Sequence, residues 1–204
     1  MPQIPNEREY RDFTLSATGI SGEDNESMEV RGYASTFDEP YTLFEDDTMV
    51  IQERVAPNAF EGADMSDVIM QYDHQGRVFA RMSNGTLDVK PDGKGLSIRA
   101  DLGGTDIGRQ LYEEIKGGYT TKMSYGYRVA ADTWESRMMD DGRSLDLRTI
   151  TQISKVYDVS AVSLPANDGT SISVRSLTDG VIEKMKAERQ LEIEKQKQTM
   201  LLDY

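Results

Sequence analysis

One stretch in the middle of the chain constrains the fold most, because it predicts a helix, a glycine stop and a strand in succession. Thr105 can cap a helix whose apolar residues recur four apart, at Ile107, Leu111 and Ile115. The pair Gly117–Gly118 then ends this helix, since glycine tolerates the left-handed conformation that commonly follows a helix.

Residues 119–129 alternate as a strand does, with large side chains on one face. That face consists of Tyr119, Thr121, Met123, Tyr125, Tyr127 and Val129. We expect it to meet the core, so that Ser124 points away from it. Gly126 on the same face as Ser124 would leave room there for a peptide backbone.

His74 is the only histidine, and the chain contains no cysteine. It stands at the polar end of a predicted buried strand, Val68–His74, after which Gln75–Gly76 is expected to turn the chain. A nucleophilic hydrolase built without cysteine needs a hydroxyl, an imidazole and an acid that orients the imidazole. Ser124 and His74 are therefore the first pair to consider.

Plainer interpretations exist for each residue. A single histidine at a strand end is commonly a hydrogen-bonded structural residue, and a serine on the polar face of a strand is commonly inert. Asp158, within the β-rich run Ile150–Leu164, could cap a turn or pair with Lys155. Asp73 lies beside His74, but neighbouring strand residues face opposite sides and there is no second imidazole, so we predict no metal and no cofactor.

The remaining pattern predicts a mainly β (α+β) fold, a barrel-like mixed or antiparallel sheet with a few packed helices. The pattern of residues 86–100 predicts a hairpin. Residues 132–144 are predicted to form a polar excursion from the strands. We divide the chain into a polar lead-in (1–27), a main domain (28–177) and a charged helical tail (178–204).

Charge and hydropathy limit the functions that the chain can have. The net charge of −13 argues against a nucleic-acid surface, which needs a basic face. No apolar run approaches the roughly 20 residues of a membrane span, and the N-terminus lacks the pattern of a secretory signal. A cytoplasmic location is the expected default.

The order of these elements resembles that of the tailed-phage prohead (capsid maturation) serine proteases, distant relatives of the herpesvirus assemblins. The resemblance covers roughly residues 28–176. Five blocks carry it: Gly32–Phe37, Val55–Phe60, Met70–His74, the helix-glycine-strand segment with Lys122–Tyr127, and Tyr157–Asn167. The chain departs from the family pattern at Asn58, where glycine is usual, around His74, and at Asp158, where glutamate is common.

The resemblance implies Ser124 as nucleophile, His74 as general base and Asp158 as orienting acid. By analogy with the herpesvirus relatives, oxyanion-loop candidates are Ala166, Asn167 and Gly169. The implied function is a serine endopeptidase that cleaves scaffold or the N-terminal extension of the major capsid protein inside the procapsid in the host cytoplasm, and also itself.

The implied partners are the major capsid protein and the scaffold polypeptide, with the portal and further copies of the chain as additional candidates. The alternative is a non-catalytic capsid assembly or scaffold-binding module with the same fold. An unrelated binding domain is a third option.

Overall fold

The computed structural model describes residues 8–14, 28–163, 184–191 and 194–195, with the backbone alone for residues 12–14. In chain order the elements are β1 (Glu9–Thr14), β2 (Glu29–Thr36), β3 (Tyr41–Glu45), β4 (Met49–Val55), β5 (Ile69–Tyr72), β6 (Gln75–Arg81), β7 (Leu87–Pro91), β8 (Gly95–Asp101), α1 (Asp106–Lys116), β9 (Lys122–Met138) and β10 (Ser144–Val162).

Strand β10 organises the larger sheet, which has the order β1-β9-β10-β4-β3. Its first half pairs in parallel with β4, its last residues pair in parallel with β5, and β9 runs antiparallel along its other edge. β6 extends the sheet beyond β5 as a hairpin. Because β10 is shared, segments far apart in sequence converge on one surface near its C-terminal end.

The core lies mainly between this sheet and a smaller one of order β2-β8-β7. Helix α1 contributes Leu111, Tyr112 and Ile115 to it. The Thr105 side chain caps the helix by accepting a hydrogen bond from the Gly108 amide, and Gly118 follows the helix at φ 75°. The predicted capping and stop are both confirmed.

A buried ionic network fastens β1 to the rest of the sheet. Arg11 on β1 contacts Glu53 on β4 at 2.6 Å, and Glu9 contacts Arg148 on β10 at 2.7 Å. Arg148 also contacts Glu53 at 2.8 Å, and none of the four side chains is more than 2% exposed. Burial by itself raises the pKa of Glu53, but the two guanidinium groups outweigh it and hold that pKa at about 2.

The mainly β prediction with mixed sheets is confirmed, although the strands in the described part of the chain do not close into a barrel. The hairpin predicted at 86–100 is confirmed as β7 and β8. The polar excursion predicted at 132–144 is wrong. β9 continues to Met138 and β10 begins at Ser144, and the side chains there are polar because this end of the hairpin is largely exposed.

Part of the predicted tail is helical, at residues 184–191 and 194–195. Met185 packs against the apolar cluster of Leu43, Met49 and Ile51, and Lys186 forms an ion pair with Asp46 at 2.8 Å. No helix in the described ranges is long and apolar enough to cross a membrane. The boundary predicted near residue 177 lies outside the described residues and stays a prediction, as does the division at residue 28.

Candidate active site

His74 lies on a two-residue turn, not at a strand end. The hairpin closes between Tyr72 and Gln75, and Asp73 and His74 between them have φ values of 49° and 58°. Two successive positive φ values are the pattern of a type I′ hairpin turn, and Asp and His tolerate them better than most residues. The turn predicted at Gln75–Gly76 is therefore wrong, because β6 already begins at Gln75.

Asp73 holds this turn against the end of β10. Its amide donates to the Ala161 carbonyl at 2.9 Å, and its carboxylate accepts from the Ser163 amide at 3.0 Å. The strained backbone of His74 is thus fixed by hydrogen bonds of its neighbour. Among the described residues, no group of acidic and histidine side chains is arranged to hold a metal ion.

Ser124 and Asp158 lie on neighbouring strands, on the sheet face that His74 covers. Ser124 pairs with Ser160 across β9 and β10, and Asp158 pairs with Gly126 two residues away. Strand residues two apart share a face, so the hydroxyl and the carboxylate are diagonal neighbours.

The imidazole connects them by hydrogen bonds at both nitrogens. Nε2 lies 2.6 Å from Ser124 Oγ, and Nδ1 lies 2.5 Å from Asp158 Oδ2. Asp158 thus reaches His74 although it is one methylene shorter than glutamate. The plainer pairing of Asp158 with Lys155 does not occur; Lys155 contacts Asp64 at 2.6 Å instead.

Burial governs the electrostatics of the three side chains. Ser124 and Asp158 have no exposed surface, and the His74 side chain is 16% exposed. Burial, assisted by the Arg8 guanidinium, lowers the pKa of His74 to about 4, while the Asp73 carboxylate opposes the shift. The imidazole is consequently neutral at pH 7. A neutral ring with Nδ1 protonated can accept the serine proton at Nε2.

Three neighbours of this site were not predicted from the sequence. Ser160 donates to Asp158 Oδ2 at 2.8 Å, Tyr10 packs on the His74 ring at 4.3 Å between centroids, and Arg8 forms an ion pair with Asp158 Oδ1. Ser160 could have been predicted from the sequence as a neighbour of Asp158, because it lies two residues after it on the same strand face. Nothing in the polar lead-in marks Arg8 or Tyr10.

Gly126 has a different role from the one expected. The sequence suggested room for a peptide backbone beside Ser124, but the side chains of Arg8 and Asp158 occupy that space. The oxyanion-loop candidates Ala166, Asn167 and Gly169 lie outside the described residues.

The profile of the caudovirus prohead serine proteases matches residues 15–187, most of the chain. The chain belongs to this family. Membership indicates a serine peptidase and, in general terms, a role in phage capsid maturation in the procapsid. No match was found among curated proteins or among solved structures. The prohead-protease match begins after β1, so the strand that carries Tyr10 precedes the matched region.

Proposed function

We propose that this prohead-protease family member is a serine endopeptidase in which Ser124 is the nucleophile, His74 the general base and Asp158 the orienting acid. It cleaves scaffold or the N-terminal extension of the major capsid protein inside the procapsid, and also cleaves itself. The observation that carries the proposal is the hydrogen-bonded series from Ser124 Oγ through both imidazole nitrogens to Asp158 Oδ2.

The chemistry follows from this arrangement. Ser124 Oγ attacks the scissile carbonyl carbon while its proton passes to His74 Nε2, and a tetrahedral oxyanion forms. The imidazolium donates that proton to the leaving amine as the C–N bond breaks, which leaves an acyl-enzyme. Water then attacks the ester through the same base, releasing the acid and restoring the serine.

Asp158 has two tasks in this scheme. Its Oδ2 accepts the Nδ1 hydrogen, which leaves the Nε2 lone pair directed at Ser124 Oγ. Its negative charge also stabilises the imidazolium that forms after proton transfer. Both tasks require Asp158 to be ionised.

Coexpression with the major capsid protein and scaffold tests the proposal. We expect shortened capsid and scaffold bands with the wild type and full-length bands with Ser124→Ala. Ser83→Ala, at an exposed serine in a 3-10 turn, is the matched control and should process normally. Processing by Ser124→Ala would refute the proposal. Mass spectrometry of the fragment termini identifies the cleavage site and any self-cleavage.

The complete burial of Ser124 supports a second candidate, a capsid- or scaffold-binding module with the same fold and no activity. A nucleophile must meet its substrate, whereas a binding module needs no access to Ser124. In that case wild type and Ser124→Ala would both leave capsid and scaffold at full length, and both would copurify with one of them.

A further inference from the structure

We propose that Arg8 is a positioning residue of the catalytic site: it provides the counter-charge that keeps Asp158 ionised and turned towards His74. This inference rests on the proposed function for its catalytic consequence. It concerns a residue that precedes the region matched by the family profile, residues 15–187.

The charge balance around the buried Asp158 supports this role. Asp158 is fully buried, and a buried carboxylate without a counter-charge tends to take up a proton. His74 is neutral in the resting enzyme and therefore offers a hydrogen bond but no charge. In the described part of the chain, Arg8 and His74 are the basic side chains within ion-pair distance of Asp158, and of these two only Arg8 is charged.

The two oxygens of the Asp158 carboxylate contact different partners. Oδ1 forms the ion pair with Arg8, whereas Oδ2 receives the hydrogen bonds from His74 Nδ1 and Ser160 Oγ. With both oxygens engaged, rotation of the carboxylate would break contacts on both sides. Arg8 therefore fixes the orientation on which the His74 tautomer depends.

The residues around the Arg8 guanidinium pack closely against it. It lies over two aromatic rings, 5.1 Å from the Tyr10 centroid and 4.6 Å from the Tyr157 centroid. A Cβ on Gly126 would come within 2.7 Å of Arg8 Nε, so glycine leaves the space that Arg8 occupies.

The strand that follows Arg8 is also firmly held. Glu9 and Arg11 on the opposite face of β1 are buried in ion pairs with Arg148 and Glu53, and β1 pairs along its length with β9. Arg8 is thus attached to an integral strand of the sheet.

Other charged or titratable groups border the same site and contribute to its electrostatics. They are Tyr10 on β1, Asp73 on the hairpin turn, Arg128 on β9, and Lys155 and Tyr157 on β10. Asp73 raises the pKa of His74, whereas Arg8 lowers it. Arg128 and Lys155 lie over the Tyr157 ring, and Lys155 is paired with Asp64.

The test measures kcat and the pH profile of kcat/KM for Arg8→Gln and Arg8→Lys on a peptide spanning the cleavage site mapped above. We expect kcat of Arg8→Gln to fall about tenfold or more, with KM changing less. The acidic limb of its profile should move to higher pH, because the Arg8 charge lowers the pKa of the His74 base and its loss removes that effect. Arg8→Lys keeps the charge and should retain the wild-type acidic limb.

Arg31→Gln is the matched control, since Arg31 pairs with Glu29 on the exposed part of the smaller sheet. A kcat of Arg8→Gln equal to or above that of the wild type, or an unmoved acidic limb, would overturn the proposal. Thermal melting of each variant shows that the fold is retained.

An activity-independent readout separates this proposal from the proposed function. In the Ser124→Ala background, nitrogen-15 NMR of the single imidazole reports its tautomer directly. We expect Nδ1 to carry the proton with Arg8 present, and a mixture of tautomers with Arg8→Gln. Unchanged imidazole signals would refute the role of Arg8 even if Ser124 is catalytic, and a changed tautomer would support it even if Ser124 is not.

Discussion

Gly126 and Asp158 face each other across β9 and β10 so closely that a Cβ on the glycine would lie 2.5 Å from Asp158 Oδ1. Gly126→Ala should therefore displace either the carboxylate or the Arg8 guanidinium beside it. We expect kcat to fall about tenfold or more while the fold persists. Steady-state kinetics checks this, with circular dichroism as the test of folding. Normal kcat in a folded Gly126→Ala protein would contradict the packing described.

Ser160 donates a hydrogen bond to the carboxylate oxygen that also accepts from His74. Ser160→Ala removes one donor from a buried, ionised acceptor, and hydrogen bonds to charged groups are worth about 1.5–3 kcal/mol. We expect the free energy of unfolding, measured with urea, to fall by about this amount. The acidic limb of the activity profile should move to higher pH, since an ionised Asp158 loses support. The exposed Ser83→Ala should change neither quantity.

The single imidazole allows its pKa to be measured without assignment. Burial holds the pKa of folded His74 near 4, below the value of about 6.5 expected in the unfolded chain. Between these values the unfolded state binds more protons, so the stability contributed by neutral His74 is present above about pH 6.5 and is lost as pH falls towards 4. An NMR titration should give about 4 in buffer and about 6.5 in urea. A folded value at or above 6.5 would be inconsistent with the site.

Glu53 balances two buried guanidinium groups, Arg11 and Arg148. Glu53→Gln leaves positive charge uncompensated in the interior, which typically costs about 3–5 kcal/mol. Urea unfolding should show this loss, and hydrogen exchange should accelerate in β1, which Arg11 anchors. Glu45→Gln, at an exposed partner of Arg143, should cost less than about 1 kcal/mol. Equal effects of the two substitutions would contradict the anchoring role of the network.

The sequence predicted those parts of the fold in which large apolar side chains recur at a regular spacing. Helix α1 and the first half of β9 have such a pattern, although the first half of β9 is buried on both faces. The second half of β9, near Asp132 and Trp134, does not, because its side chains are mostly exposed or half-buried. A polar strand of this kind looks like a loop, and the pairing with β10 that makes it a strand is not local.

The candidate site was predictable only in part. Composition pointed to Ser124 and His74 as a pair, but their roles and the choice of Asp158 came from the family resemblance, since the meeting of the three depends on the register of β9, β10 and the β5–β6 turn. The turn itself was misplaced because glycine at position 76 is a stronger turn signal in the sequence than Asp73 and His74. The positive φ values of these two residues are visible only in the structure. Arg8 could not be found, because its partner lies far along the chain and no periodicity connects the two.

The most direct test of the central claim, that His74 activates Ser124, is intact-mass and peptide-mapping spectrometry after treatment with a fluorophosphonate. Such reagents phosphonylate an activated serine, whose oxygen displaces fluoride from phosphorus, and leave ordinary hydroxyls unmodified. We predict one adduct on Ser124 in the wild type and none in His74→Ala, with the exposed Ser83 unmodified in both. Labelling of another serine, or undiminished labelling of Ser124 without His74, would contradict the account.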